Sequence, residues 1–270
     1  MPLTLKATRT GLKVLSAVSP ALGVRAAARL FSTPRTRAVN PEEAAVLAQG
    51  QTFKLESGLA ATAWGEGETV LLVHGWERHR ASLGAFVAPL VESGKRVVAF
   101  DAPAHNDSPG STANPFKFTE AILEVAGEIG DLAGVVGHSM GGGATVLALH
   151  QGLKAQRVVL LAPASDWEYQ LRFFTRFMKL TPTASERFVR HLERQAGRSL
   201  ATLTAKKLAP AITQPTLLFH DEKDGRVPYA DSIALQTHLP NAELVTLEGS
   251  GHSALLYDQG VVSRAVNFLS

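Results

Sequence analysis

The sequence predicts an α/β protein with a mostly parallel, eight-stranded sheet flanked by helices. From residue 51 onward, short apolar runs of strand length alternate with helical segments, the pattern of a parallel sheet covered on both faces. One such run, Leu132 to Val136, ends in the turn Gly137-His138-Ser139-Met140-Gly141 and passes at once into a helical segment. One interval between Pro163 and Gln214 carries no strand pattern but is rich in aromatic residues, and it is too long for a plain loop. It reads as a helical cap, placed at 166–210, inserted after the sixth strand.

The whole chain sets the limits. Its 270 residues suit one main domain, and 45% apolar with 19% charged content is ordinary for a globular protein. The absence of cysteine excludes disulfides, thiolate metal sites and cysteine nucleophiles. No apolar run reaches the eighteen or so residues of a spanning helix.

Residues 1–50 form a basic arm. Lys6, Arg9, Lys13, Arg25, Arg29, Arg35 and Arg37 all precede the first acid, Glu42. Ser19-Pro20 starts a helix in which Val24, Ala27, Ala28 and Phe31 make an apolar stripe opposite Arg25 and Arg29. The first reading is helices packed on the protein's own surface; peripheral membrane contact and organellar targeting by residues 1–38 are the alternatives, the rest of the chain fitting a cytoplasmic protein. Nucleic acid is not expected as a partner, because no aromatic residues interleave with these charges. Asn40-Pro41-Glu42-Glu43 then starts a second helix, ending near Gly50.

The core follows, at 51–165 and 211–270. Strands are expected at Phe53–Glu56, Ala60–Trp64, Val70–Val73, Val97–Phe100, around Val135–Val136, and at Val158–Leu161, Thr216–Phe219 and Leu244–Leu247. Helices are expected near Ser82–Glu92, Phe116–Ile129, Met140–His150, Ala230–Thr237 and Gln259–Leu269.

Ser139 carries the chemistry. A sharp strand-to-helix turn holds its central residue in a left-handed conformation and leaves no room for side chains two positions away, where Gly137 and Gly141 stand. The exposed hydroxyl is a candidate nucleophile. A P-loop reading fails for want of a Lys-Ser/Thr pair after the glycines. A nucleophilic serine also needs a base, an orienting carboxylate and a second oxyanion donor. His252, after the last strand in a glycine-bounded loop, is the best base; His138 reads as a packing residue, and His150, His191 and His238 as surface residues. For the acid, Asp224 in "DEKDGRVP" leads, with Asp166 as rival, while Asp221 is more suited to shaping the loop. After the third strand, Gly75 lets the chain turn so that the Trp76 N–H joins that of Met140 as an oxyanion donor. His74, Glu77 and His79 lack the spacing of a zinc site, so no metal is expected.

With "LLVHGW", "VVAFDAPAHNDSPG", "VVGHSMGGG", "DEKDGRVP" and "GSGHSALL" in this order, the chain resembles the α/β-hydrolase fold from about Thr52 onward, in particular capped serine esterases and monoacylglycerol-lipase-like members. The resemblance implies a cofactor-free ester hydrolase acting on a small molecule. It departs at Ala104 and Asn106, which occupy two positions where similar hydrolases carry glycine. Other acyl chemistry of the same fold (thioesterase, amidase or perhydrolase) is the alternative, and a non-catalytic binding protein the remote one. Phe173 and Phe177 of the cap are expected to line a pocket for an apolar acyl group.

Overall fold

The computed structural model describes residues 3–197 and 199–270. Eight strands form one sheet: β1 (Gln51–Lys54), β2 (Ala60–Trp64), β3 (Glu68–Val73), β4 (Lys95–Phe100), β5 (Leu132–His138), β6 (Ala155–Leu161), β7 (Thr216–Asp221) and β8 (Ala242–Leu247). Their order is β1-β2-β4-β3-β5-β6-β7-β8. β1 and β2 pair antiparallel, as do β2 and β4; every other neighbouring pair is parallel.

Side-chain alternation along the central strands feeds a core on each face of the sheet. From β3, Leu71 and Val73 pack on one side with Phe118, Ile122 and Leu147. Val70 and Leu72 pack on the other with Phe86, Leu90, Val262 and Leu269. The first face is covered by α5 (Pro115–Ile129) and α6 (Met140–His150), the second by α4 (Val87–Glu92) and α12 (Gln259–Leu269).

Some boundaries move for local reasons. The first strand lies two residues before its expected start, because the turn closed by Gly58 N–H to Leu55 O already begins at Leu55. The expected helix from Ser82 is a 3₁₀ segment (Arg80–Phe86) broken at Leu83, followed by α4.

Between β6 and β7 stand α7 (Trp167–Phe177), α8 (Pro182–Ala196) and the short α9 (Ala205–Leu208), with no strand among the described residues there. Leu171, Met178, Phe188 and Val189 from this insertion are buried in the same core as α5 and α6. α9 packs back against α6 and against α10 (Tyr229–His238), which precedes β8.

The arm comprises α1 (Leu3–Val18), α2 (Pro20–Ser32) and α3 (Pro41–Ala48). α1 and α2 approach closely at Gly23, where a Cβ would lie 2.6 Å from the Ser16 Cα. α2 rests on α8, and Val24, Ala27 and Ala28 join the core. α3 starts at the expected Asn40 cap, and the structure closes a capping box there: Glu43 N–H donates to the Asn40 side chain at 2.8 Å, and Asn40 N–H donates to the Glu43 carboxylate at 3.0 Å. Among the described residues, no helix is long and apolar enough to cross a membrane.

Candidate active site

β5 is buried along its whole length and delivers Ser139 beyond its carboxyl end. Ser139 has φ 54° and ψ −120°, a conformation that costs a non-glycine residue on the order of 1–3 kcal/mol. The surroundings impose it. Ser139 N–H donates to Leu161 O at 2.9 Å, and Ser139 O accepts from Gly143 and Ala164 N–H, each at 3.0 Å. The flanking glycines are required by contact rather than by conformational freedom. A Cβ on Gly137 would stand 2.9 Å from the Gly142 Cα, and one on Gly141 only 2.3 Å from His74 O.

Two further residues converge on the hydroxyl. His252 Nε2 lies 2.9 Å from Ser139 Oγ, and His252 Nδ1 lies 2.7 Å from Asp224 Oδ2. A hydroxyl, an imidazole and a carboxylate in one hydrogen-bonded chain can draw a proton off the oxygen while the acid holds the imidazole in orientation. His252 stands on a one-turn helix, α11 (Gly251–Ala254), rather than in a loop; Gly249 (φ 79°) and Gly251 (φ 68°) make the left-handed steps that lead into it. Asp221 secures that approach by accepting from Gly251 N–H and Lys223 N–H, both at 2.7 Å, and the Gly251 bond holds its carboxyl below the usual range.

Asp224 is sealed from solvent. Burial alone would raise its pKa, but hydrogen bonding from His220 and His252, with the Arg226 N–H at 2.7 Å, holds the carboxyl well below the ordinary carboxylate range. His220, unremarked in the sequence, lies 3.5 Å from Asp224 Oδ2 and is anchored by Ser232 Oγ at 2.7 Å and Val227 O at 3.1 Å. Asp166 stands elsewhere, as the N-cap of α7, accepting from Tyr169 N–H at 2.9 Å.

His138 is buried beside the serine, and its Nε2–H donates to His252 O at 3.0 Å. Burial, reinforced by the neighbouring His252, lowers its pKa to about 3, so the ring is neutral. His74 is likewise committed to structure. Its Nδ1–H donates to Gly75 O at 2.7 Å and its Nε2 accepts from Ala102 N–H at 2.9 Å, leaving neither nitrogen for a metal.

The turn after β3 differs in detail from expectation. The left-handed residue is Glu77 (φ 54°), not Gly75. Gly75 serves close approach: a Cβ there would stand 3.0 Å from the Ser139 Cβ. The next peptide N–H, that of Trp76, therefore begins beside the serine. Among the described residues, neither the Trp76 nor the Met140 N–H is given to a backbone acceptor outside the regular elements. Ala104 (φ 63°) and Asn106 (φ 40°) both adopt the left-handed conformation at the positions where glycine was expected.

The aromatic residues packed near Trp76 come from the arm and from the segment between β6 and β7. Phe31 of the arm stacks on Trp76 with centroids 6.4 Å apart and meets Phe174 and Phe188 edge-on at 4.9 and 5.7 Å. Phe173 and Phe177 stack on one another along an exposed row of α7, 40% and 39% accessible, apart from that group. Helical geometry separates the two sets, since Phe173 and Phe177 share one face of α7 while Phe174 is turned about 100° away.

Comparison with known proteins agrees with this architecture. Residues 70–265 match the Alpha/beta hydrolase family. The chain is 25% identical over 248 residues to pimeloyl-(acyl-carrier protein) methyl ester esterase of Xanthomonas oryzae pv. oryzae, a match spanning 75% of this chain and 94% of that one. In structure it is similar to a monoacylglycerol lipase from Paleococcus ferrophilus (TM-score 0.63, 23% identity, 78% of this chain and 98% of that one). It is also similar to a bromoperoxidase from Bacillus anthracis (TM-score 0.58, 18% identity, 82% and 99%). With the sheet order, the serine turn and a match across most of its length, the chain belongs to the α/β-hydrolase family.

Proposed function

We propose that this protein is a serine hydrolase that cleaves carboxylic esters through an acyl-enzyme. The observation that carries the reading is the continuous hydrogen-bonded chain from Ser139 Oγ through His252 to Asp224, at 2.9 and 2.7 Å. As Ser139 Oγ attacks the ester carbonyl, His252 Nε2 takes its proton, and Asp224 stabilises the imidazolium. The Trp76 and Met140 N–H groups receive the oxyanion, where loss of one such donor typically costs about 3 kcal/mol of barrier. The C–O bond to the alcohol breaks, His252 returns the proton to the leaving oxygen, and water then attacks the acyl-enzyme by the same route. This chemistry needs no cofactor or metal. The Xanthomonas relatives, named as methyl ester esterases, support the reading.

The substrate is a small-molecule ester. The Trp76 indole stacks on Phe31, which also meets Phe174 and Phe188, and the acyl group is assigned to this apolar group rather than to Phe173 and Phe177. A fluorophosphonate probe tests the reading: it should label one site, on the peptide containing Ser139, and Ser139→Ala should abolish both labelling and turnover of 4-nitrophenyl esters. Labelling that survives in the variant rejects it.

A further inference from the structure

Three arginines around the turn that carries Trp76, two of them from the arm, are matched. Arg35 pairs with Glu77, Arg37 with Glu43, and Arg80 with both Asp101 and Asp107. Arg78 is the exception: it enters no ion pair among the described residues and is half-buried. Its guanidinium offers five N–H donors. One nitrogen, Nη2, donates to Ser253 Oγ at 2.7 Å. Its remaining N–H groups are not sealed away from solvent without a partner.

The position of this cation matters more than its lack of an ion pair among the described residues. Arg78 follows Trp76 by two residues, and its guanidinium touches Ser253, the residue after His252. It therefore bridges the turn assigned to the oxyanion and the helix bearing the base. Burial is the main cause that lowers its pKa, while the charges around it act in both directions, Arg37 and Arg226 lowering it and Tyr257 and Glu43 raising it. An arginine remains charged there at neutral pH and offers a planar fork suited to carboxylate or phosphate.

We infer that Arg78 is a specificity-determining residue that binds an anionic group, a carboxylate or phosphate, on the alcohol side of the ester. The side follows from the mechanism: the leaving oxygen receives its proton from His252, and the guanidinium lies against the next residue. The inference rests on the serine-hydrolase reading above.

The test is a matched pair of butanoate esters, 4-nitrophenyl and 3-carboxy-4-nitrophenyl, each rate divided by that ester's hydroxide-catalysed rate. The readout is the ratio of kcat/KM for the anionic over the neutral ester. Arg78→Met should lower this ratio about tenfold, mostly through KM, Arg78→Lys should recover part of it, and raising ionic strength should lower it in the wild type. A ratio unchanged by Arg78→Met overturns the inference, including the case in which both esters slow alike because the residue only clamps Ser253. Wild-type protein that hydrolyses neither ester and resists the fluorophosphonate probe would instead defeat the serine-hydrolase reading, and the inference with it.

Discussion

The ring of Phe31, in the second helix of the arm, lies stacked on the indole of Trp76 at 6.4 Å and 19°. The arm therefore abuts the turn that follows β3, and Arg35 adds a second tie by donating to the Glu77 carboxylate at 2.7 and 2.8 Å. Glu77 is itself the left-handed residue of that turn.

Phe31→Ala should accordingly affect turnover as well as stability. Loss of a packed aromatic residue is expected to cost about 2–4 kcal/mol, seen as a lower Tm. At temperatures where the variant stays folded, kcat/KM for a butanoyl ester should fall several-fold as the Trp76 turn loosens. Turnover equal to wild type would limit the arm to packing. Arg35→Ala should be mild, because that pair is exposed on the arginine side.

The two candidate acids separate cleanly. Asp224→Asn should reduce kcat by roughly three to four orders of magnitude, since the imidazole loses both its orientation and its counter-charge. Asp166→Ala removes the cap of α7 and should cost about 1 kcal/mol of stability with little change in turnover. Steady-state kinetics of both variants on one soluble ester decide the point, and the opposite ranking would remove Asp224 from the mechanism.

Stability should decline as pH falls below about 6.5, ahead of ordinary carboxylate titration. Burial lowers the pKa of His74, His79, His105 and His138, the last to about 3. The unfolded chain binds protons near the free imidazole value of about 6.5 that the folded chain refuses, so this stability is fully present above that pH and is lost below it. Each such histidine adds a slope of up to about 1.4 kcal/mol per pH unit. Asp101 and Asp231, raised by burial, act in the opposite sense nearer pH 4. Urea unfolding at pH 7, 6 and 5 reads the effect; equal midpoints at all three would refute it.

Ala104→Gly should stabilise the protein. Ala104 sits at φ 63°, where a Cβ costs roughly 1–2 kcal/mol, partly offset by the greater backbone freedom of an unfolded glycine. The expected net gain is about 0.5–1 kcal/mol, visible as a rise in Tm. A lower Tm would show that the alanine methyl contributes packing larger than its strain.

The sequence alone determined the parts of this protein whose signal is local. Gly137 and Gly141 around Ser139 mark a turn too tight for side chains, and that steric demand is written within five residues. Asn40-Pro41-Glu42-Glu43 specified its helix start because a capping box is closed by neighbours three apart. The alternation of apolar runs with helical segments fixed the sheet class, and chain order after successive strands singled out His252 and Asp224 as partners of the serine. The tertiary structure decided which faces meet. Phe173, Phe174 and Phe177 are one aromatic cluster in the sequence, yet the direction in which α7 docks turns Phe174 inward and leaves the other two exposed. Phe31 reaches Trp76, and Arg78 reaches Ser253, across 45 and 175 residues respectively. Such contacts follow from how whole helices and strands pack, a sum over many weak interactions that no short window of sequence contains.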